Sequence, residues 1–459
     1  GEAETSAREQ AFIPRELPKS TPDQDRQAVQ LLDDAGTREG YAYLWGAGDG
    51  GLLFALLRES NLHVLVIESD AVKAAELRRL LADAGIYALR VSVLAGDPVE
   101  MDLPPYIASI IAVGDTKAPE PAYIEKLFYC LRPYGGAAYV LLDAGAHAHF
   151  DERIQEADLA NATVHRNGDF TVLKREGALP GAGQWTHEHA SSANIAMSDD
   201  DFVKAPLGIF WFGGPTNEDV LPRHGYGPVP QICNGRLFIL GVDGISGRDV
   251  YTGRTLWHRP FPGIGDPYQT LPDEPGKYLP HQPGAAFVGS CYVSSPDGVY
   301  VAYKEAIYRL DPGTGEILNT FTLDPEALSL SDAELARASW GYIGLWDNLL
   351  ILGAGPQYFD DQDPGARDSF NATSSQFLVL MDRYSGEMQW HKKARYGFRH
   401  NAIVTENDSV FVIDGLSPGV LELMERRGIV PEGEAALYAL DARSGDVLWR
   451  LDEEVFGTW

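Results

Sequence analysis

The chain has 459 residues, of which 44% are hydrophobic and 10% aromatic, which is enough for more than one buried core and indicates at least two domains. Its 37 basic and 66 acidic residues give a formal net charge of −29, and a field of that sign repels nucleic acid and anionic lipid. No apolar run approaches the roughly 18 residues that a membrane-spanning helix needs. We therefore expect a globular protein with neither a nucleic-acid partner nor a transmembrane segment.

The three cysteines, Cys130, Cys233 and Cys291, are too few and too widely spaced to indicate a disulfide framework or a Cys-x-x-Cys metal site, although one disulfide is not excluded. The sequence starts at Gly1 instead of Met, which indicates a processed or trimmed terminus. We expect an exported protein of the periplasm or cell envelope, with a cytoplasmic location as the alternative.

Residues 1–29 are polar, contain three prolines and show no sustained periodicity, so an extended arm is predicted there. From 30 to 178 short apolar runs of strand type alternate with helical patterns, which indicates a parallel, doubly wound α/β sheet. The predicted strands are 41–45, 63–67, 90–94, 106–113, 137–142 and 170–173, and the predicted helices are 52–60, 71–84 and 122–131.

A glycine-rich loop at 46–51 directly follows the first predicted strand and opens a helix. Glycines there permit a tight turn and a close approach of ligand to backbone, and the helix N-terminus favours polar or anionic groups. Glu68 closes the second strand, where a carboxylate can accept hydrogen bonds from both hydroxyls of a ribose. Asp97 closes the third strand, near the place of an adenine. The candidate cofactor-binding residues are Gly46, Gly48, Gly50, Glu68 and Asp97.

This set resembles the class I S-adenosylmethionine-dependent methyltransferases over residues 30–178. The resemblance implies a Rossmann-like fold, S-adenosylmethionine as cofactor, and contacts to ribose from Glu68 and to adenine from Gly96-Asp97. The family usually has an acidic residue two positions before the first glycine, and this chain has Leu44 there. No Asn-Pro-Pro-Tyr-like signature follows Asp115, which argues against methylation of base or glutamine amino groups. No residue is assigned a catalytic role.

Two other interpretations of this region stay open. The pattern Gly46-x-Gly48-x-x-Gly51 also satisfies the fingerprint of an NAD site, with Glu68 at a plausible distance for the ribose. The Gly-Asp pair after the third strand and the turn at 131–136 favour the methyltransferase fold instead. The third interpretation is a degenerate Rossmann-like domain that has kept its glycine turn for packing.

A linker at 179–204 carries His187-x-His189, and a repeated signature follows at 205–459. Each copy has an Asp, two residues, a Ser or Thr, a Gly and usually a Trp four residues later. The copies are 249–257, 311–319, 382–390 and 441–449. The Asp side chain can bond to turn amides, the Gly adopts a positive φ, and the Trp packs between units. A repeat of long period built from short strands predicts a β-propeller.

The repeats resemble those of the pyrroloquinoline-quinone-type propellers, a family of quinoprotein alcohol dehydrogenases and of non-catalytic scaffolds such as outer-membrane assembly lipoproteins. Such propellers generally close with about seven or eight blades, and the four copies here predict an incomplete propeller of about four. Further blades would come from a missing segment or another chain. Asn319 stands at the Trp position of the second copy, so one contact between blades is expected to be altered.

Histidines recur in loops rich in proline and glycine. Propeller loops converge at one mouth, so the imidazoles can meet there and bind a metal ion or contact haem. The candidate ligands are His187, His189, His224 and His281. The alternative is that they cap turns. Pyrroloquinoline quinone itself is less favoured, because the chain has no vicinal cysteine pair. The Asp-rich stretch at 360–363 suits either Ca²⁺ or a solvated surface.

Three functions follow from these patterns. The first is an S-adenosylmethionine-binding methyltransferase-like domain fused to a propeller that presents an acceptor or partner. The second is a metal- or haem-dependent redox protein that uses the propeller histidines. The third is a non-catalytic exported scaffold with a degenerate Rossmann domain.

Overall fold

The computed structural model describes residues 13–114, 120–209, 211, 220, 221, 227–265, 268, 289–322, 326, 328, 340–356, 374–416, 418–431, 433, 435–452 and 455. The chain divides into two compact units, Gly1–Pro180 and Gly181–Trp459, here called unit 1 and unit 2. None of the described helices is long and apolar enough to cross a membrane.

Unit 1 contains one sheet of seven strands with helices on both faces. Its strands are β1 Tyr41–Trp45, β2 His63–Glu68, β3 Val91–Ala95, β4 Ala108–Val113, β5 Gly136–Leu141, β6 Ala162–Asn167 and β7 Phe170–Arg175. Its helices are α1 Pro22–Ala35, α2 Gly51–Glu59, α3 Ala71–Asp83, α4 Pro121–Cys130 and α5 Ala144–Glu156. The strand order is β3-β2-β1-β4-β5-β7-β6.

Strands β1 to β5 run parallel, whereas β7 is antiparallel to both β5 and β6. The prediction of an entirely parallel sheet is therefore wrong for β7, whereas β6 runs in the same direction as β1 to β5. The cause is local, because only Gly168 and Asp169 separate β6 from β7, and a two-residue turn can join strands only in antiparallel pairing. A mixed seven-stranded sheet in this order fits a Rossmann-like methyltransferase fold.

Two hydrophobic cores cover the two faces of this sheet. Helices α1, α2 and α3 supply Leu31, Phe54 and Leu77 to one core. Helices α4 and α5 supply Leu127 and Phe150 to the other. Because both faces are buried, the parallel strands are mostly apolar, with exceptions such as His63 and Glu68 at the ends of β2.

Helix α1 differs from the extended arm predicted for 1–29, since it begins at Pro22. Thr21 is its N-cap and forms a capping box with Gln24, and proline is well suited to the first helical position because it needs no N–H there. Leu31 and Leu32 are fully buried, so packing on the sheet completes the helix.

Unit 2 consists of four consecutive groups of four antiparallel strands. Group 1 is β8 Gln231–Cys233, β9 Arg236–Leu240, β10 Gly244–Asp249 and β11 Thr255–Pro260; group 2 is β12 Tyr292–Ser295, β13 Gly298–Tyr303, β14 Ala306–Leu310 and β15 Ile317–Thr322; group 3 is β16 Trp340–Trp346, β17 Leu349–Pro356, β18 Ser374–Asp382 and β19 Met388–Arg399; group 4 is β20 Val404–Glu406, β21 Ser409–Asp414, β22 Ala436–Asp441 and β23 Val447–Leu451. A helix, α6 Pro418–Arg426, lies between β21 and β22.

Each signature turn joins the third and fourth strands of a group. The Asp311 carboxylate accepts from the N–H groups of Gly313 and Thr314, both at 2.8 Å, and Gly315 has φ +69°. Separate hydrophobic cores fill the spaces between groups 1 and 2, groups 2 and 3, and groups 3 and 4. Groups 3 and 4 are also linked by one backbone pairing, Phe398 with Asp414. Within the described residues these sheets do not close on themselves.

Candidate functional site

A cleft of about 480 Å³ lies in unit 1 at the carboxyl ends of the parallel strands. Its lining includes Gly46 after β1, Ser69 after β2, Asp97 after β3 and Tyr123 on α4. The strand order reverses here, because β1 lies between β2 and β4, and ligands of open α/β sheets bind at such a switch point.

The glycine loop has the conformation that its sequence requires. Gly46, Gly48 and Gly50 have φ values of +76°, +55° and +85°, which residues with a Cβ avoid. The Gly46 N–H donates to the Ile67 carbonyl at 2.8 Å, which ties the start of the loop to β2. A Cβ at Gly114, after β4, would lie 2.3 Å from the Gly46 carbonyl oxygen, so the two segments pass each other at backbone distance.

Glu68 is hydrogen-bonded to the backbone of this loop and of the residues that follow β2. Its side chain is buried, its Oε2 accepts from the Ala47 N–H at 2.9 Å, and its Oε1 accepts from the Asp70 N–H at 3.0 Å. Lys73 Nζ is 3.8 Å from Oε2. The cleft is lined by Ser69, the next residue, and not by Glu68. The contact from Glu68 to a ribose therefore stays a prediction, and its described contacts are with the backbone.

Asp97 stands at the rim of the cleft. Its Oδ1 accepts from the Val99 N–H at 2.8 Å, which leaves Oδ2 available to a donor such as the amine of adenine. Pro98 lacks a backbone N–H and cannot add a donor to a purine nitrogen. The lining also includes Glu100 and Glu120, and the described part of it contains no basic residue.

Trp45 is a residue of the cleft that the sequence patterns did not single out. It is 1% exposed, and its ring meets that of Tyr123 edge-on, with ring centres 5.0 Å apart. Within the described residues its indole N–H has no hydrogen-bond partner. Leu44, at the position of the family's usual acidic residue, is buried in the core beneath α1, α2 and α3. A single buried Trp in an apolar strand has no sequence signature, so only the structure could find it.

Asp49 and Gln24 lie at the N-terminus of α2, the helix that follows the loop. The Asp49 carboxylate accepts from the Gly51 N–H at 2.9 Å and from the Gln24 amide at 2.9 and 3.0 Å. The Gly51 amide, followed by the Gln24 side chain, lowers the pKa of Asp49. An ionised carboxylate therefore occupies the N-terminus of α2, where the pyrophosphate of a dinucleotide would need to bind. This placement disfavours the NAD interpretation.

Of the four candidate metal ligands, only His187 and His189 lie within the described residues. His187 is buried, with Nδ1 2.8 Å from Thr186 Oγ1 and Nε2 3.0 Å from both backbone polar atoms of Leu345. Burial lowers the pKa of His187 to about 4, so its ring is neutral, and both of its nitrogens are already engaged.

His189 is half-buried, and His224, His281 and the Asp-rich stretch 360–363 lie outside the described residues. The part of the chain that is described holds no group of three or more His, Cys, Asp or Glu residues able to bind a metal. The metal or haem cluster stays a prediction.

No family model matches the chain. No curated protein matches it either. Among solved structures it is similar to a putative S-adenosylmethionine-dependent methyltransferase from Methanococcus maripaludis, at 14% identity and a TM-score of 0.31, over 34% of this chain and 85% of that one. It is also similar to an S-adenosylmethionine-dependent O-methyltransferase from Thermotoga maritima, at 17% identity and a TM-score of 0.28, over 36% and 68%.

A third similar structure is a putative sarcosine dimethylglycine methyltransferase from Galdieria sulphuraria, at 17% identity and a TM-score of 0.26. The match covers 31% of this chain and 63% of that one, so the chain spans less than two thirds of that protein. At these values the matches do not bear on activity, and the methyltransferase-like fold of unit 1 rests on its own sheet order and glycine loop.

Proposed function

We propose that unit 1 binds S-adenosylmethionine in the cleft at the carboxyl ends of β1, β2 and β3, and that unit 2 presents an acceptor or partner. The observation that carries the proposal is the convergence of the Gly46 turn, Ser69 and Asp97 on one cleft at the switch point of the sheet. Its volume of about 480 Å³ falls in the range of small-molecule sites.

The charge of the cleft supports a cationic ligand. Asp97, Glu100 and Glu120 line it, and no described lining residue is basic. S-adenosylmethionine carries a positive sulfonium and a positive ammonium group, whereas NAD carries an anionic pyrophosphate. Close charges of opposite sign are favourable, so the acidic cleft selects the sulfonium compound.

The contacts can be assigned by donor and acceptor chemistry. Asp97 Oδ2 accepts from the adenine amine, and the Ser69 hydroxyl bonds to the ribose. The Trp45 N–H donates to an acceptor on the ligand, which would remove the cost of about 1–3 kcal/mol of a buried unpaired donor. The carboxylates of Glu100 and Glu120 supply the negative charge that the family's usual acidic residue would supply, because this chain has Leu44 at that position.

Calorimetric titration of the full chain with S-adenosylmethionine, S-adenosylhomocysteine and NAD tests the proposal. We expect S-adenosylmethionine to bind more tightly than S-adenosylhomocysteine, which lacks the sulfonium charge, and NAD not to bind. Asp97→Asn should weaken binding by about tenfold, because a charged acceptor becomes a neutral amide. The matched control is Asp169→Asn, an exposed residue of the β6–β7 turn that lies outside the cleft lining. Absence of binding at millimolar S-adenosylmethionine would refute the proposal.

A non-catalytic scaffold is the second candidate, and the contacts of Glu68 favour it. Both oxygens of that carboxylate are bonded to backbone amides, and Leu44 is a core residue, so the glycine loop is held together without any ligand. If S-adenosylmethionine fails to bind to the folded protein, this candidate remains. A metal analysis of purified protein tests the redox alternative, which no described contact favours.

For unit 2 we propose a partial propeller of the quinoprotein type. Four groups of four antiparallel strands, a signature turn in each group, and a core between each consecutive pair of groups support it. An exported location remains part of this proposal and is tested by fractionating cells that express the gene.

A further inference from the structure

Group 2 of unit 2 carries a row of polar side chains where the other three groups are apolar. In each group, one residue from each of the last three strands lies beside the next on one face of the sheet. In group 2 these residues are Tyr300, Arg309 and Asn319, here called the polar row. The equivalent rows of groups 1, 3 and 4 are Phe238-Gly247-Trp257, Ile351-Leu380-Trp390 and Phe411-Ala439-Trp449.

The asparagine of the polar row changes the junction between groups 2 and 3. Trp257, the last member of the row in group 1, lies over the signature-turn glycine of group 2, where a Cβ would come within 2.4 Å of its ring. At the next junction Phe321 takes this place, since a Cβ at Gly386 would lie 2.3 Å from its ring. Asn319 Oδ1 instead accepts from Arg309 Nη1 at 3.3 Å. The altered contact expected at Asn319 is therefore a replaced ring, and the amide belongs to the polar row.

Side chains from the signature turn of group 3 meet the polar row. The guanidinium carbons of Arg309 and Arg383 lie 5.0 and 4.6 Å from the centre of the Tyr384 ring. Arg309 Nη2 donates to the Asp297 carbonyl at 3.0 Å, and Arg383 Nη2 is 3.2 Å from Asp297 Oδ1. Two guanidinium groups share one carboxylate, so this cluster has an excess of positive charge in a chain whose net charge is −29.

Several donors of this cluster have no acceptor. Tyr300 is fully buried, and its hydroxyl has no hydrogen-bond partner within the described residues. The same holds there for the buried Nε groups of Arg309 and Arg383, and for Arg383 Nη1. Tyr300 Cζ and Arg309 Nε lie close together, 3.2 and 3.1 Å from the position of a Cβ at Gly298. Because buried donors are normally paired, the cluster lacks an acceptor.

The charge state of Tyr300 suits a donor. Burial raises the pKa of its hydroxyl to about 12, although the charges of Arg383 and Arg309 lower it. The hydroxyl therefore keeps its proton at neutral pH and is available to donate it in a hydrogen bond.

The cluster reaches solvent at its outer side. Tyr384 is 43% exposed, and the side chain of Asp297 is 39% exposed. The side chains of Arg309 and Arg383 are 16% and 13% exposed. The ring of Tyr384 lies over both guanidinium groups, so this exposed side chain has to turn outward before a ligand can reach the buried donors.

We propose that the polar row, together with Arg383 and Tyr384, binds a phosphate group, either as the free ion or as a monoester. Guanidinium groups pair with phosphate through two parallel hydrogen bonds, and a phosphate dianion has enough acceptor oxygens for the phenol as well. The donors come from two strands and a turn, which suits a tetrahedral ligand better than a planar carboxylate. The site lies wholly in unit 2, so the inference is independent of cofactor binding by unit 1.

Calorimetric titration of the full chain with inorganic phosphate, with sodium chloride of equal ionic strength as the reference, tests the site. We expect Tyr300→Phe and Arg383→Gln each to weaken binding by about tenfold, because each removes a hydrogen bond to a charged ligand. The matched control is Arg443→Gln. Arg443 also lies in a signature turn and is 2.9 Å from an aspartate, Asp347, but it faces a junction whose row is apolar. Its replacement should leave phosphate binding unchanged.

Urea unfolding without phosphate separates a ligand-binding hydroxyl from a structural one. Tyr300→Phe removes a hydroxyl without an internal partner, so the unfolding midpoint should not fall. Phosphate stabilises folded proteins in general because it is excluded from their surfaces, so the heat of titration is the measure of binding.

A phosphate-dependent heat that is reduced in Tyr300→Phe and Arg383→Gln and kept in Arg443→Gln supports the site. Glycerol 3-phosphate, titrated in the same way, identifies the source: tighter binding than phosphate indicates an ester, and weaker binding indicates the free ion. The absence of any heat beyond the chloride reference, or equal binding by all four proteins, would overturn the proposal. A lowered unfolding midpoint of Tyr300→Phe would also overturn it, because the hydroxyl would then have an acceptor within the protein.

Discussion

Replacement of Glu68 tests whether this residue stabilises the glycine loop or serves only to bind ribose. The carboxylate accepts two backbone N–H bonds, from Ala47 and Asp70, and its side chain is buried. A hydrogen bond to a charged group contributes about 1.5–2 kcal/mol at the lower end of the measured range, so Glu68→Ala should cost about 3–4 kcal/mol. Glu68→Gln keeps one acceptor oxygen and should cost about half of that.

Hydrogen exchange of the backbone amides at 46–70, measured by mass spectrometry without cofactor, reports this cost locally. Each 1.4 kcal/mol is tenfold in an equilibrium constant, so Glu68→Ala should speed exchange of the loop by about 140- to 700-fold and Glu68→Gln by about 10- to 30-fold. The control is Glu59→Gln, an exposed residue at the end of α2 that makes no bond to the loop.

Unchanged exchange in Glu68→Ala, combined with weaker binding of S-adenosylmethionine, would refute the loop-holding role and assign Glu68 to the ligand. Faster exchange in both Glu68 variants and no change in Glu59→Gln would establish that role.

Three further predictions concern unit 2, which contains eight of the nine tryptophans, so fluorescence during urea unfolding mainly reports its stability. Gly315→Ala should destabilise it by about 2–5 kcal/mol, because a Cβ there would lie 2.4 Å from the Trp257 ring and φ is +69°. Gly428→Ala, with the same φ and nothing within 4 Å, should cost only about 1–2 kcal/mol. Equal costs would contradict a close contact between the Trp257 ring and the Gly315 turn. Burial lowers the pKa of His187 from 6.5 to about 4, so the unfolded chain binds a proton on this residue at a higher pH than the folded chain does, and the stability that His187 contributes is lost as pH falls from 6.5 to 4. The free energy of unfolding of His187→Asn should therefore fall less steeply over this range than that of the unmodified chain, by up to about 1.4 kcal/mol per pH unit. Parallel curves for the two proteins would contradict a neutral buried ring. Burial raises the pKa of the neighbouring Glu188 from 4.5 to about 7, so the stability that Glu188 contributes is lost as pH rises from 4.5 to 7. The free energy of unfolding of Glu188→Gln should therefore fall less steeply over this range than that of the unmodified chain.

Local patterns predict helices α2, α3 and α4 and strands β1 to β5 of unit 1, and the turns of unit 2, but neither α5 nor β6. The glycines at 46, 48 and 50 have positive φ because the strand-to-helix turn requires it, and that requirement can be read from the sequence. Helix α1 was missed because three prolines outweighed its capping box, and the antiparallel pairing of β7 was missed because only one strand of its hairpin had been recognised.

The sequence alone indicated most of the strands, three of the helices of unit 1 and the signature turns, because hydrophobic period and turn chemistry act within a few residues. Only the tertiary structure decided that Glu68 accepts from the loop, that Gln24 donates to Asp49, and that Phe321 covers Gly386 where the other signature turns are covered by a tryptophan. These features join residues that are distant in the chain or that require a neighbouring group of strands. Their partners are fixed by packing, which no local pattern encodes.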